Sequence, residues 1–516
     1  MSDQAALKRP AACGAPPAKR PKPPGSQLDK AMQAMLSKLS SGEMTKLKET
    51  LAALPDRKLS VVSLCSGSEI QHVVGDRLLS TVDGSTTYVT CTACDNAPNK
   101  RAWIQNFVFK DAAEMPRTFS DIVDMAKASA KCAVHKSGDG DAKMCKTVPD
   151  HLNNFIVACA CSCKELSKLN SSKPKKSGIL KQGGSGGSSA ATFEALIEFL
   201  ATHPVKMWLG ENVDEMRRGS SDNYQCMVDK LASVGFACET MKLDALNYGA
   251  ATTRTRAFIL GLSCQRSGLA PHEAQAVLRS MKQLVEKLQI GPFALKDFLL
   301  MPGHEYLKIQ LEHLQSKDSQ SSSSNDSKQD WREKLADACQ KVGMVVSQCR
   351  PSPEIASSPW FHSMCERERM ALAYETIMRP EACSVDVSQT IAWCGRGKDG
   401  VLPTITPRGK IYMLPRGGDE KGREQQFNRI LSGLESLSVQ GWPIDSLEIH
   451  KLKDAGISDA LMKDLAGNSV HALCFCAVLI AVMTFWPRSD PEVSEEVSTT
   501  PEETINEDEV TNILGL

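Results

Sequence analysis

The sequence predicts an α/β protein with a doubly wound, mostly parallel sheet and a second, smaller, mostly helical region. Short β-branched runs alternate with helical stretches between residues 59 and 262, as in sheets covered by helices on both faces. The alternation stops near residue 263, and helical periodicity dominates residues 263–400. A length of 516 residues also exceeds one ordinary core, so more than one domain is expected.

Six short apolar runs are the predicted strands of the sheet. In chain order they are LSVVSLCSGSEI (59–70), TTYVTCTACD (86–95), FSDIVDM (119–125), HLNNFIVACACSC (151–163), VKMWLGENV (205–213) and RAFILGL (256–262). Helical stretches such as AATFEALIEFLATH (190–203) lie between them.

Charge and cysteine content narrow the class of protein. Lys+Arg and Asp+Glu both number 61, so no global positive field indicates a nucleic-acid partner. Nineteen cysteines without a signal peptide indicate a reducing compartment. Near the N-terminus, Lys8-Arg9 and Lys19-Arg20 with Lys22 are spaced like a bipartite nuclear import signal, which predicts a nuclear protein. The alternative is a solvated basic tail that does not act as an import signal.

One apolar run, VHALCFCAVLIAVMTFW (470–486), approaches the length of a membrane span. Its 17 residues sit at the lower limit for spanning, and an acidic segment follows. We therefore expect a buried core helix and no membrane partner.

Polar residues fall where the predicted strands end. Because a doubly wound sheet binds ligands outside the carboxyl ends of its strands, these residues predict a site. They are Ser66, Gly67, Asp95, Asp121, Cys163 and Glu211. An acid after the second strand suits ribose hydroxyls, but the first turn lacks the GxGxxG pattern, which weakens a nicotinamide interpretation.

Eight blocks in order resemble the cytosine-C5 DNA methyltransferase family. SLCSGSEI stands where that family has Asp-Leu-Phe-Ser-Gly-x-Gly-Gly, and SCKELS stands where it has Pro-Cys-Gln-x-Phe-Ser. The remaining blocks are TACDNAP, FSDIVDM, GENVDEM, NYGAATTRTRAFILG, RILSGLESLSVQGWP (429–443) and AGNSVHAL (466–473). Together they cover roughly residues 59–487.

The resemblance implies covalent catalysis, in which a thiolate adds to C6 of cytosine and activates C5. Cys163 is the implied nucleophile, because Ser167 follows it at the family's Cys-x-x-x-Ser spacing. Glu211 would be the protonated partner of cytosine N3, and Asn212 would position the nucleophile loop. Arg256, and less surely Arg254, would hold cytosine O2 and nearby phosphate.

The implied cofactor is S-adenosylmethionine. Its contacts would be Ser66 and Gly67 in the first loop, Asp95 on the ribose, Asp121 on the adenine amine, and Asn468 and Val470 beside the methionine moiety.

The implied partner is double-stranded DNA, with the cytosine flipped out of the helix. The lysine- and glycine-rich KELSKLNSSKPKKSGILKQGGSGG after Cys163 resembles the family's mobile loop, and a plain linker is its alternative. The region 263–425 occupies the target-recognition position, but its sequence does not indicate which DNA bases it contacts. An RNA partner is less expected, and the acidic tail is a candidate contact for a protein partner.

The resemblance also divides the chain into predicted segments. These are a basic disordered or helical tail (1–57), the catalytic domain (58–262), a variable target-recognition region (263–425) with a disordered insert (316–330), a part returning to the catalytic domain (426–487), and an acidic disordered tail (488–516).

Departures from the family pattern leave a second interpretation open. Ser162, Cys65 and Glu69 replace the family's Pro, Phe and second loop Gly, and Thr252 replaces a Gln. A catalytically degenerate relative that binds DNA or cofactor is therefore the alternative to an enzyme, and an RNA cytosine methyltransferase is another.

The remaining cysteines raise the question of metal. We interpret Cys159 and Cys161 as structural. Cys132, His135 and Cys145, together with Cys91 and Cys94, offer zinc ligand types, but their spacings do not close a paired four-ligand set. The sequence therefore predicts no metal.

Overall fold

We describe a computed structural model of the chain. It describes residues 26–110, 115–137, 140–152, 154–161, 165–166, 179–180, 187–217, 222–318, 330–389, 391, 394–415 and 427–487. The basic clusters, the Ser162-Cys163 pair, most of the lysine-rich loop, most of the serine-rich insert and the acidic tail lie outside these ranges.

Thirteen strands form three sheets among the described residues. They are β1 (Lys58–Leu64), β2 (Thr87–Cys94), β3 (Arg117–Phe119), β4 (Ser129–Lys136), β5 (Ala142–Lys146), β6 (Phe155–Cys159), β7 (Val205–Val213), β8 (Phe236–Asp244), β9 (Thr255–Ser263), β10 (Ala382–Asp386), β11 (Arg396–Lys398), β12 (Ile411–Met413) and β13 (Arg429–Ile430).

The largest sheet has seven strands in the order β3-β2-β1-β6-β7-β9-β8. The pairs from β3 through β7 are parallel, and β9 is antiparallel to both β7 and β8. Since the chain starts in the middle of this sheet and winds outward to both sides, the predicted doubly wound, mostly parallel sheet is confirmed.

Helices cover both faces of this sheet and build most of the second region. They are α1 (Gln27–Leu36), α2 (Ser41–Ala52), α3 (Ile70–Val82), α4 (Pro98–Trp103), α5 (Ser188–Thr202), α6 (Asp222–Ser233), α7 (Cys264–Ser267), α8 (Pro271–Lys287), α9 (Glu305–Asp318), α10 (Asp330–Lys341), α11 (Pro353–Ala356), α12 (Pro359–His362), α13 (Glu366–Met378), α14 (Gly433–Val439), α15 (Ile449–Asp454), α16 (Asp459–Asn468) and α17 (Ala472–Thr484).

Two strand assignments in the seven-stranded sheet differ from the prediction. The run FSDIVDM is mainly a short 3-10 helix, Ile122–Ala126, which follows β3 and is capped by the Asp121 carboxylate. The strand β8 was not predicted, because FACETMKLD mixes charged and apolar residues without the continuous apolar run of the other strands.

The N-terminal segment differs from a simple tail. Helices α1 and α2 each begin with a serine capping box, which satisfies their first backbone amides. Their apolar faces, including Met32, Met35 and Leu47, are fully buried in the main core against α3 and α17. Residues 27–52 therefore form part of the layer that covers the sheet.

The apolar C-terminal run forms α17, every residue of which is buried. The helical stretch Asp459–Thr484 is long and apolar enough to cross a membrane by length and composition, yet 89% of its apolar window is packed inside the protein. Its contacts with α1, α2, α3 and α8 make it the centre of one covering layer.

The region after residue 262 divides between two cores. Helix α8 packs on β8 and α17, so it covers the main sheet although the prediction placed it in the variable region. A separate core forms between α10, α12 and α13 and the four-stranded sheet β11-β10-β12-β13, with Trp360, Leu372 and Tyr412 buried in it. This second unit is smaller and largely helical, as predicted.

Candidate active site

The loop after β1 is tied to the end of β2 by backbone and hydroxyl contacts. The Cys94 amide donates to Ser66 Oγ (3.1 Å), and the Gly67 amide donates to Asp95 Oδ2 (2.8 Å). Gly67 has φ +57°, a left-handed conformation that glycine adopts without a Cβ penalty. Ser66, Gly67 and Asp95 therefore meet at the carboxyl edge of the sheet, as their sequence positions predict.

Asp95 and Asp121 lie at the ends of neighbouring strands but differ in exposure. Asp95 is buried, and its Oδ1 accepts the Ala97 amide at 2.9 Å. A carboxylate oxygen can accept a second hydrogen bond, so both oxygens retain capacity for a diol. Asp121 is exposed, and its Oδ1 accepts the Val123 amide at 3.0 Å.

The last sequence block returns to the first loop. Ser68 and Ser469 share a hydrogen bond of 2.7 Å between their hydroxyl oxygens, although 401 positions separate them. The Asn468 carbonyl lies against Gly67, and the Asn468 amide donates to Asp464 (2.8 Å). Val470 is buried next to this contact. All the predicted cofactor residues except Asp121 are therefore linked by direct contacts or neighbouring positions.

Glu69, which replaces a family glycine, is fully buried and turned inward. Ser63 Oγ donates to its Oε2 (2.7 Å), Thr90 Oγ1 donates to its Oε1 (3.3 Å), and Gln71 Nε2 donates to its Oε2 (3.3 Å). Burial raises the pKa of Glu69 to about 7, against the lowering effect of hydrogen bonds from Ser63 and Thr90. The Glu69 carboxyl group is therefore held by hydrogen bonds at the base of the loop.

Ser63 is a residue that the sequence interpretation missed. It stands where the family block begins with Asp, and the carboxyl missing there returns from Glu69 six positions later. Two departures in this block could have predicted the contact. Ser63 loses the family's carboxyl group, and Glu69 introduces one.

Glu211, Asn212 and Arg256 lie together where β7 and β9 run side by side. The register pairs Glu211 with Phe258 and Val213 with Arg256. Arg256 Nε lies 3.1 Å from Glu211 Oε1, and both side chains are mostly buried. The Asn212 side-chain amide donates to the Cys161 carbonyl (3.4 Å), two residues before Cys163. Cys163 itself lies outside the described residues.

Arg254 requires a correction. Its guanidinium is buried and donates to three carbonyls, those of Ile405 (3.2 Å), Gly467 (3.1 Å) and Ser469 (2.7 Å). A guanidinium held by three internal acceptors is not presented to a base or phosphate. Arg254 is therefore a positioning residue that joins the segment around Ile405, which is part of the main core, to the last block.

A small pocket of about 10 Å³, room for about one water molecule, lies beside Glu211 and Asn212. Cys159, Cys161 and Trp208 line it. The Cys159 and Cys161 sulfurs are 3.1 Å apart, and hydrogen bonds from Cys159 and Cys65 lower the pKa of Cys161. Cys65, where the family has Phe, therefore joins a compact thiol cluster beside this pocket.

The family model for C-5 cytosine-specific DNA methylase matches residues 163–479, more than half of the chain. The chain belongs to this family. The matched range contains Glu211, Asn212, Arg256 and the last block, whereas Ser66, Asp95 and Asp121 precede it. A search of curated protein sequences finds no match.

Several solved structures are similar to this chain at low sequence identity. The methyltransferase EhMeth of Entamoeba histolytica is 11% identical, with a TM-score of 0.42, and the match covers 83% of this chain and 98% of that one. A putative DNA modification methyltransferase of an Escherichia coli prophage is 13% identical, with a TM-score of 0.40 and coverages of 82% and 98%. The Dnmt2 methyltransferase of Schizosaccharomyces pombe is 13% identical, with a TM-score of 0.38 and coverages of 83% and 98%.

Proposed function

We propose that this protein is a DNA (cytosine-5-)-methyltransferase that uses S-adenosylmethionine and a covalent Cys163 adduct. The observation that carries the proposal is the joining of Glu211, Asn212 and Arg256 at one sheet edge, in contact with the segment that leads to Cys163. Family membership supports the reaction class.

The residues of the first loop fit the cofactor. Asp95 offers two carboxylate oxygens beside the Gly67 turn, the Asn468 carbonyl lies against that turn, and Val470 is buried close by in sequence. Glu69 is compatible with this fit because its carboxyl is directed into the Ser63 cluster and is fully buried. When bound, S-adenosylmethionine supplies the electrophilic methyl group that C5 of the activated cytosine accepts.

The protein groups act on the flipped cytosine in sequence. The Cys163 thiolate forms a bond to C6, and the displaced ring electrons are neutralised when Glu211 gives a proton to N3. Arg256 Nε lies 3.1 Å from Glu211 Oε1, and we assign this ion pair to orienting the carboxyl group towards N3. After methylation, solvent takes the C5 proton, the S–C6 bond breaks, and the N3 proton returns to Glu211.

Asn212 would act before this chemistry, because its amide holds the Cys161 carbonyl and thereby orients the chain entering Cys163. Such positioning matters because a displacement of about 1 Å can cost roughly 100-fold in rate.

The test is adduct trapping on duplex DNA that contains 5-fluorocytosine, with S-adenosylmethionine present. We expect a denaturation-resistant adduct with the wild-type chain and with Cys161→Ser, and none with Cys163→Ser. An adduct that survives Cys163→Ser would overturn the assignment of the nucleophile. Failure to form an adduct on DNA while cofactor still binds would favour the degenerate relative, and an adduct on RNA alone would favour an RNA enzyme.

We also propose that the protein acts in the nucleus, on the basis of the two basic clusters at residues 8–22. Fusion of residues 1–25 to a fluorescent reporter tests this. Nuclear accumulation that disappears when Lys19 and Arg20 become alanine is the expected result, and an unchanged distribution would contradict it.

A further inference from the structure

A cluster of three metal-ligand side chains lies on the β4–β5 hairpin, outside the site described above. Cys132 and His135 belong to β4, and Cys145 belongs to β5. Their ligand atoms lie within 4.8 Å of one another. The sequence spacing led us to predict no metal here, since the three residues do not form a paired four-ligand motif.

The hairpin register explains how these residues meet. Ala130 pairs with Cys145, so Cys132, two positions along, projects from the same face as Cys145. In a regular strand, His135 would point to the opposite face, because it lies three residues after Cys132. An irregularity in pairing between Lys131 and Lys136 shifts this alternation, and His135 turns towards the two thiols.

The distances between these ligand atoms are compatible with a shared ion. His135 Nδ1 lies 3.5 Å from Cys132 Sγ and 3.4 Å from Cys145 Sγ. Tetrahedral zinc, with Zn–S near 2.3 Å and Zn–N near 2.0–2.1 Å, places such ligand atoms about 3.6 Å apart. One imidazole nitrogen carries either one proton or one lone pair, so it can satisfy one thiol but not both.

We propose that Cys132, His135 and Cys145 bind a Zn²⁺ ion. Two thiolates and one imidazole are the ligand types that zinc prefers, and Cys132 is fully buried while Cys145 is 9% exposed. Among the described residues, these three are the His, Cys, Asp or Glu side chains that form the group.

The ion would fasten together two strands that support the sheet edge. Strand β4 packs on β3 and on the 3-10 helix that begins after Asp121, and Arg117 donates to the Lys146 carbonyl at 3.2 Å. Because a metal bound only by the folded chain stabilises it, we assign the site a structural role in holding this hairpin.

The first measurement is the zinc content of the full-length protein, purified without chelator and analysed by inductively coupled plasma mass spectrometry. We expect about one zinc per chain, as one three-ligand site requires. The variants Cys132→Ser and Cys145→Ser should lose at least roughly tenfold in zinc affinity, whereas Cys238→Ser on β8 should retain the wild-type content.

His135 provides the variant that separates metal loss from misfolding. His135→Cys keeps a ligand at the same place and should retain zinc, while His135→Ala should lose it. Chelation should also lower the thermal midpoint of the wild-type chain and of Cys238→Ser, but not that of His135→Ala. None of these readouts uses methyl transfer, so they are independent of the proposed function.

Three results would overturn the proposal. One is a wild-type chain with less than about one zinc per ten molecules after zinc supplementation. Another is zinc content that is unchanged in Cys132→Ser and His135→Ala. The third is a Cys132–Cys145 disulfide, found by mass spectrometry of the protein isolated under reducing conditions.

Discussion

The two halves of the sheet edge differ in how they follow the family pattern. The target half, at the ends of β6 and β7 and the start of β9, keeps Glu211, Asn212 and Arg256; Glu211 pairs with Arg256, and Asn212 contacts the Cys161 carbonyl. The cofactor half, at the ends of β1, β2 and β3, has lost the first carboxyl, the aromatic ring and a glycine of its loop. There the Glu69 carboxylate accepts a hydrogen bond from Ser63 and thereby supplies the carboxyl group that the first position of the loop has lost.

This difference shows that a motif can change in letters while its internal contacts are kept. The Ser63–Glu69 pair places a carboxyl at the base of the loop, whichever residue carries it. In the target half the residue types themselves are kept, and Glu211 pairs with Arg256 while Asn212 contacts the segment that leads to Cys163.

The largest effect is expected in the target half, from Glu211→Gln. Removing a positioned proton donor should lower the rate of methyl transfer by roughly 10²- to 10⁴-fold, with cofactor affinity unchanged. Single-turnover methylation and calorimetric titration of the cofactor measure the two quantities. Glu239→Gln on β8 is the control, and full activity of Glu211→Gln would remove the proposed distinction between the halves.

Arg254→Met tests how much the hydrogen bonds of the buried Arg254 guanidinium stabilise the folded protein. It leaves the carbonyls of Ile405, Gly467 and Ser469 unpaired in the interior, and each such group costs about 1–3 kcal/mol. We expect the free energy of unfolding to fall by about 3 kcal/mol or more, measured by urea denaturation. Lys242→Met, an exposed charge removal on β8, should stay within about 0.5 kcal/mol of wild type.

Glu69→Gln tests the buried Glu69 carboxyl group of this loop through the pH dependence of protein stability. Burial raises the folded-state pKa of Glu69 from 4.5 to about 7. The stability that its protonated form contributes is therefore present below pH 4.5 and is lost as the pH rises to 7. Relative to Glu69→Gln, the unfolding free energy of the wild type should therefore fall by about 3 kcal/mol between pH 4.5 and pH 7.

Urea denaturation of both chains at several pH values between 4.5 and 8 measures this difference. Two buried histidines oppose the trend in each chain, because burial lowers the pKa of His72 to about 4 and that of His471 to about 3. Their stabilising contribution is lost as the pH falls below 6.5, but it cancels between the two proteins. A difference that does not vary with pH would contradict the assignment of Glu69.

The smallest effect is expected from Asp95→Asn in the cofactor half. The amide cannot accept from both Gly67 and Ala97 as the carboxylate does, so the loop loses one contact. A cost of about 1.4 kcal/mol corresponds to roughly tenfold weaker cofactor binding. Calorimetry checks this, with the exposed Asp337→Asn as control, and unchanged binding would separate Asp95 from the cofactor.

Much of the fold and part of the site could be predicted because their signals are local. Apolar runs ending in polar residues located β1, β2, β6, β7 and β9, and the same strand ends supplied Asp95 and Glu211. The positions of both residues at the sheet edge follow from strand direction alone.

Other features depend on contacts between distant segments. Arg254 and Arg256 look equivalent in sequence, but the carbonyls that capture Arg254 come from residues more than 150 positions away. The Cys132, His135 and Cys145 cluster depends on a pairing irregularity that no spacing rule encodes. The packing of α1 and α2 depends on α17, which lies more than 400 positions later in the chain.

The position of α17 has a consequence for the order of folding during synthesis. Helices α1, α2 and α3, made first, all pack against this helix, which is made more than 380 residues later than α3. Contacts of such long sequence separation close slowly, since the chain must first lose the entropy of a large loop. The nascent chain therefore carries an exposed apolar surface on α1, α2 and α3 until α17 has left the ribosome, and chaperones can bind this surface during that interval.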